Sequence, residues 1–348
     1  PEVLMVPSPE RAMAHRITWL ETGHCFDAGA DEAVLSAARR HDVPFAYDCR
    51  NGACGTCRVR VVEGQVRYED ELPMGLSEEE AAAGQALLCQ ARACGDLVVS
   101  VEPDLGPPPQ RLLARVDSVE ALCGDVTRLC LELPVEPDFR FHPGQYMNVH
   151  LPDGSHRSFS MASCPAGARV DFHIRRIPGG RFTEGELTQL QPGDALEVEL
   201  PLGSFRLHPQ DYRPIVMLAT GTGLAPLKSM LESLKGDADC PPVHLYWGAR
   251  TEADLYLDAE IRAWGEGLYE FRYVPVLSRA GEAWSGRRGH VQQAVIEDLG
   301  EELAECAFYL CGSPAMIASA KAELAAQGAD PAFFYSDSFL FQSELVAG

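Results

Sequence analysis

The chain has 348 residues, 46% hydrophobic and 23% charged, with a formal net charge of −22 at pH 7. That length predicts two or three domains, each able to build a core without disulfide staples. So acidic a surface excludes nucleic acid, whose phosphates need cations, and an anionic membrane; it suits plain solubility or salt-sensitive docking to a basic patch on a protein partner.

At the N terminus no basic segment leads into an apolar core, so no secretory signal is expected. No apolar run is long enough to span a membrane. Twelve cysteines are present; four make one cluster-like pattern and the rest are scattered, which predicts a reducing compartment, the cytoplasm, and a metal site. Short β-type runs and one helix, about Asp31 to His41, surround the four. The segment Glu102-Pro103-Asp104-Leu105-Gly106-Pro107-Pro108-Pro109 reads as a linker stiffened by its prolines. Alternating runs with turn signals follow. Val149 to Leu151 precedes Pro152-Asp153-Gly154, and Leu196 to Leu200 follows Pro192-Gly193-Asp194. They predict an antiparallel barrel or sandwich.

A second seam falls near His208-Pro209-Gln210-Asp211. Beyond it Ile215 to Ala219, Val243 to Trp247, Tyr273 to Leu277 and Ala307 to Leu310 are continuously apolar, as buried parallel strands should be. Helical segments such as Pro314 to Gln327 separate most of them, the pattern of a doubly wound α/β sheet. The expected division is residues 14–103, a linker at 104–110, residues 111–209, and residues 210–348.

Cys49, Cys54 and Cys57, then Cys89, have the spacing of a plant-type [2Fe–2S] centre. Thiolates are soft ligands suited to such clusters, and the intervening Arg50-Asn51-Gly52-Ala53 and Gly55-Thr56 let the backbone aim N–H groups at the sulfurs. Structural zinc is the alternative, but it favours two close cysteine pairs and here the fourth cysteine stands apart. Cys94 is read as a bystander, and Cys25, Cys123, Cys130, Cys164, Cys240 and Cys306 as ordinary buried thiols.

Residues from about Arg16 to Val101 resemble a plant-type ferredoxin domain. The whole chain, apart from roughly its first dozen residues, resembles the reductase components of bacterial ring-hydroxylating and related oxygenases. The resemblance implies a multi-domain α+β, β and α/β architecture: a ferredoxin-like β-grasp domain, an antiparallel β-barrel FAD domain and a doubly wound α/β nicotinamide domain.

On the barrel, Arg157-Ser158-Phe159-Ser160 is similar to the family's flavin motif except that Phe159 stands where the family has Tyr. The match implies that Arg157 pairs with the flavin diphosphate, which the guanidinium fork suits, and that Ser160 lies near the reactive flavin nitrogen. Phe159 can still pack on the flavin ring but has no hydroxyl to donate. His173-Ile174-Arg175 resembles the strand that borders the ring. Gly179-Gly180-Arg181-Phe182-Thr183, before a helix-like Glu184 to Leu190, makes a diphosphate seat. Domain order favours FAD over FMN.

Gly221-Thr222-Gly223-Leu224-Ala225-Pro226 follows an apolar strand and opens a helix, where dinucleotides bind in open α/β sheets. It is not the full dinucleotide fingerprint, but it matches the family's turn. Cys311-Gly312 again joins strand to helix, and in the family it lies where nicotinamide meets flavin. Cys311 would shape the hydride-transfer site rather than act as a nucleophile. Arg250 borders the adenosine portion by the same resemblance. With no clear basic cluster for a 2′-phosphate, NADH is preferred over NADPH. Asp337 is a candidate for positioning the nicotinamide or for a proton path, and Phe339 for covering the flavin ring.

The expected circuit runs from NADH to FAD to the cluster and on to an oxygenase component. A deoxysugar dehydrase is an alternative acceptor. The rival classes are a non-turnover redox carrier or sensor, against which the nicotinamide half argues, and a zinc-stapled binding protein.

Overall fold

A computed structural model of the chain describes residues 14–41, 43, 45, 47, 50–53, 55–69, 71–101, 109–134, 139–164, 167–208, 212–264 and 267–339. The chain divides into two compact units, Pro1–Asp104 and Leu105–Gly348. The expected linker falls almost wholly outside the described residues, as do residues 209–211 of the second seam.

In the first unit β1 (Ala14–Trp19) and β2 (Cys25–Gly29) pair as a hairpin and lead into α1 (Val34–Arg40). Then come β3 (Arg58–Glu63), β4 (Val66–Arg67), α2 (Glu78–Ala82), β5 (Gln85–Leu87), β6 (Arg92–Ala93) and β7 (Leu97–Ser100). The main sheet has the order β2-β1-β7-β3-β5, with β1 and β7 parallel at its centre. It packs on α1, whose Val34, Leu35, Ala37 and Ala38 are buried in one core with Ile17, Phe26 and Val59. Arg39 and Arg40 close the helix at the negative end of its dipole. Strand alternation corrects one expectation: Phe26 and Ala28 point inward, so Cys25 points out and is exposed. Cys123 and Cys164 are half-buried, whereas Cys130, Cys240 and Cys306 are buried.

The second unit opens with β8 (Gln110–Ala121), β9 (Val126–Glu132), β10 (Tyr146–His150), β11 (His156–Ser160), β12 (Arg169–Arg175) and β13 (Ala195–Leu202). They form an antiparallel sheet ordered β11-β10-β13-β8-β9-β12. A bridge between Met161 and Phe172, just past the end of β11, joins its two edges and closes the barrel. Leu129, Leu131, Met147, Val149, Phe172 and Phe182 fill it. The helix expected over Glu184 to Leu190 is instead a π turn, Arg181–Gly185, followed by a 3-10 turn, Glu186–Gln189. Gly185, at φ −97° and ψ −87°, breaks the helical path between them.

The second half contains β14 (Ile215–Thr220), α3 (Leu224–Leu234), β15 (Val243–Ala249), α4 (Asp258–Ala263), β16 (Phe271–Leu277), β17 (Arg287–Arg288), α5 (Val291–Leu299), β18 (Ala307–Gly312), α6 (Pro314–Ala326) and β19 (Phe334–Ser338). Its sheet is parallel throughout, ordered β17-β16-β15-β14-β18-β19. Chain order reverses between β14 and β18, which places a crevice at their carboxyl ends. Apolar cores cover both faces, one with α3 and α4, the other with α5 and α6. Among the described residues no helix is long and apolar enough to cross a membrane.

Asp298, with a side chain only 4% exposed, ties α5 to the sheet by accepting hydrogen bonds from Tyr246, Arg272 and Arg287. Asp298→Ala leaves the buried tyrosine hydroxyl without its acceptor and is expected to cost about 1–3 kcal/mol, read as a lower urea midpoint for the second unit.

Candidate functional site

Of the four cysteines expected to hold a cluster, Cys57 and Cys89 are described; Cys49 and Cys54 lie outside the described residues. Cys57 and Cys89 are buried, and the Cys89 amide donates to the Cys57 sulfur at 3.4 Å. Around them Arg50, Gly52 and Gly55 have φ of 56°, 81° and 78°, the left-handed region that glycine enters most easily. Gly52 packs so tightly that a β-carbon would come within 2.5 Å of Pro73 Cβ. Arg58, next to Cys57, braces this loop. Its guanidinium donates to Gln85 Oε1 and to the Gly75 carbonyl, both at 2.7 Å, and pairs with the buried carboxylate of Glu80. Glu80 in turn caps α2 through Ser77. Two adjacent buried sulfurs under a left-handed loop fit a [2Fe–2S] cluster.

On the barrel, β11 carries Arg157, Ser158, Phe159 and Ser160 opposite Val149, Asn148, Met147 and Tyr146 of β10. Arg157 is half-buried and donates to the His156 carbonyl at 2.7 Å. The Ser158 hydroxyl donates to Asn148 Oδ1 at 2.7 Å, and Ser160 is buried. The Phe159 ring lies 5.4 Å from the fully buried Phe182 and keeps part of its surface open. Phe182 and Thr183 belong to the π turn, where the Thr183 hydroxyl accepts from the Ile177 amide at 3.1 Å and Arg181 pairs with Asp153. Gly180 caps the turn; a β-carbon there would meet Thr183 Oγ1 at 2.4 Å. A half-open aromatic ring beside an arginine and a glycine turn is consistent with a flavin.

β12 runs from this barrel to the crevice of the parallel sheet. Its Arg175 lies against Gly221, where a β-carbon would come within 3.1 Å of the guanidinium, and its Nε is 3.1 Å from Asp125. Gly221 is followed by Thr222 and Gly223 in a 3-10 turn that feeds α3. Gly223 abuts the Cys311 carbonyl, and Gly312, at φ 152°, abuts Thr220. At both glycines the space a β-carbon would need is already taken by the neighbouring chain, so these turns pack closer than any other residue would allow. Cys311 is fully buried, and burial first, then the neighbouring Asp337, pushes its thiol well above the usual range. Such a thiol stays protonated and is no nucleophile. Asp337 and Ser338 lie opposite Cys311 and Gly312 on β19, and the Phe339 amide donates to the Gly312 carbonyl at 2.8 Å.

His173 and Ile174 are buried on β12. Burial, then the charge of Lys228, depresses His173 to about 3, so its ring is neutral at physiological pH. The Tyr256 hydroxyl lies 3.2 Å from His173 Nδ1. The Tyr256 ring meets that of Trp247 edge-on at 5.0 Å, and the Trp247 indole donates to the Gly221 carbonyl at 2.9 Å. Tyr256 and Trp247 therefore connect the barrel strand to the glycine turn. Sequence reading missed both, because a tyrosine in a loop and a tryptophan in an apolar strand carry no local signal. Arg250 stands apart, exposed just past the end of β15, where the Arg279 amide donates to its carbonyl at 2.8 Å and brings the backbones of two arginines together at the carboxyl end of the sheet.

Three family models match in succession: a 2Fe-2S iron-sulfur cluster binding domain over residues 17–94, an oxidoreductase FAD-binding domain over 113–207 and an oxidoreductase NAD-binding domain over 217–322. The chain is 33% identical over 335 residues to reductase component 2 of terephthalate 1,2-dioxygenase from Comamonas sp, covering 94% of this chain and 98% of the relative. It is 33% identical over 323 residues to the CDP-6-deoxy-L-threo-D-glycero-4-hexulose-3-dehydrase reductase of Yersinia pestis, covering 92% and 96%. The solved ferredoxin reductase in carbazole 1,9a-dioxygenase superposes with a TM-score of 0.66 at 26% identity, covering 94% and 99%.

Two predictions follow from this geometry. Gly52→Ala adds a β-carbon against Pro73 in a left-handed conformation, so iron content and visible cluster absorption of the purified protein should fall. His173 has a folded value near 3 and an ordinary value of 6.5, so the unfolded chain binds the extra proton between them. Its contribution is complete above pH 6.5 and is lost as the pH falls toward 3. Between pH 7 and 5 the wild type should lose about 1–2 kcal/mol more stability than His173→Gln, measured by denaturant melts at both pH values.

Proposed function

The chain belongs to the family of reductase components that join a [2Fe–2S] domain to FAD- and NAD-binding oxidoreductase domains, and from that premise we propose that it draws electrons from NADH and delivers them singly to an oxygenase component. The observation that carries this reading is the meeting of β12 with the glycine turn after β14, where barrel residues touch the dinucleotide cradle directly. In the proposed division residues 14–103 hold the cluster, 111–209 the flavin and 210–348 the nucleotide.

The chemistry the bound groups would supply is acceptance of one hydride, two electrons together, followed by their release one at a time to the cluster. The residues of the chain do the positioning. Cys49, Cys54, Cys57 and Cys89 are the proposed cluster ligands. Arg157 and the turn from Gly180 to Thr183 are the proposed holders of the flavin diphosphate, with Ser160 and the open side of Phe159 toward the ring. Gly221, Thr222, Gly223 and Gly312 admit the nicotinamide nucleotide. Cys311 and Asp337 form the buried floor beneath it, and Phe339 is held near by its bond to Gly312. His173 donates no proton from a cationic form near neutral pH and serves as a neutral hydrogen-bonding wall. Cysteine usage supports a cytoplasmic setting for this role.

Two second readings rest on specific observations. The adjacent Arg250 and Arg279 suit a 2′-phosphate and so favour NADPH as donor. The relative that serves a deoxysugar dehydrase makes such an enzyme the other candidate acceptor.

The test is an anaerobic absorption spectrum of the purified protein before and after NADH, with NADPH in parallel. Flavin and cluster bands that bleach together with NADH are the expected result. Bleaching with NADPH alone moves the donor to the second reading. Bands that neither nucleotide bleaches overturn the proposal.

A further inference from the structure

The four residues after β11, Met161 to Cys164, lie between the barrel and α3. On the barrel side Met161 bridges Phe172, the Ala162 amide donates to the Asp171 carbonyl at 2.7 Å, and the Asp171 amide donates to Ser163 Oγ at 3.0 Å. On the α3 side the bonds are as complete. Lys228 Nζ donates to the Ala162 carbonyl at 2.9 Å, Ser229 Oγ to the Ser163 carbonyl at 2.7 Å, and the Cys164 amide to Glu232 Oε2 at 2.9 Å. Lys228 and Glu232 pair one helical turn apart at 2.6 Å. Lys228 is 4% exposed and Ser229 fully buried. α3 also seats Met230 on the barrel turn at Gly144, where a β-carbon would collide with its methyl.

Packing alone does not call for these groups. A buried ammonium is costly to desolvate, and an apolar side chain of similar volume is often as stable. What the charge adds is a directed bond to one backbone carbonyl. That carbonyl lies two residues past Ser160, and Lys228 lies five residues past Gly223 on a continuous helix. A slip of α3 along the segment is therefore a slip of the nucleotide turn relative to the flavin strand.

We propose that Lys228, Ser229 and Glu232 are positioning residues that lock the end of the flavin strand to the nicotinamide helix and so set the spacing for hydride transfer. The proposal rests on the reductase reading above. Hydride transfer needs its reacting atoms at roughly 3–3.5 Å, and a misplacement of about 1 Å costs on the order of 100-fold in rate.

The experiment compares the wild-type holoenzyme with Lys228→Met, Glu232→Gln and the milder Ser229→Ala. Stopped-flow reduction of the flavin by NADH is followed anaerobically, alongside flavin content and amide hydrogen exchange of the 161–164 peptide in the oxidised protein. The lock predicts a limiting reduction rate lower by about tenfold or more in Lys228→Met and by a smaller factor in Ser229→Ala. The half-saturating NADH concentration and the flavin content stay near wild type, and the peptide exchanges faster. Should Lys228→Met fail to fold, Ser229→Ala and Glu232→Gln carry the test. Wild-type limiting rates in the variants, or rate losses that match flavin loss alone, overturn the proposal. Unaltered exchange overturns it too. A wild-type flavin that neither NADH nor NADPH reduces defeats the reductase reading instead, and the exchange measurement still judges whether these side chains grip the segment.

Discussion

The α-carbon of Gly223 lies against the carbonyl of Cys311 so closely that a β-carbon would stand 2.2 Å from that oxygen. This one backbone contact sets the distance between the start of α3, just past β14, and the end of β18, the two strands between which chain order reverses. Gly312 continues the approach against Thr220. With the backbones this near, register does the rest: Asp337 arrives beside Cys311, and Phe339 bonds back to Gly312. The crevice is thus built from main chain, and its side chains are consequences of the strands they sit on.

Charge inside the second unit follows partners. Lys228 is buried but has a carbonyl and a carboxylate to bond, so the structure keeps its ammonium engaged. His173 is buried beside that cation, with a tyrosine hydroxyl at its ring nitrogen, and its proton affinity collapses. Cys311, buried beside a carboxylate, moves the other way and holds its proton. Burial favours the neutral form in both side chains, although that means losing a proton in one and keeping it in the other.

The first unit solves a different problem, the support of a loop that has little regular structure of its own. Arg58 does this by reaching Gly75, Gln85 and Glu80 at once, with Glu80 fixed by the capping box of α2. Residues 50 and 52, both left-handed, are held from outside, Gly52 by its close packing on Pro73 and Arg50 by a hydrogen bond from the Gln90 side chain to its carbonyl. Bracing of this kind is what a metal site asks of its second layer of contacts.

Much of this was legible along the chain. Cysteine spacing, alternation in the barrel strands, continuous apolar runs in the parallel strands and glycine turns at strand ends are local patterns, and each reports a local demand of ligand geometry, pleat or close approach. They identified the three kinds of domain and the family. Alternation even explains why Cys25, expected to be buried, faces outward: Phe26 faces in. Only the tertiary structure decided that a helix at 184–190 breaks at Gly185, that Tyr256 meets His173, and that Lys228 grips Ala162. Those last two pairs lie 83 and 66 residues apart. No periodicity links residues at such separations; what joins them is the closing of a barrel and the packing of a helix against it, and burial then decides which of them carries charge.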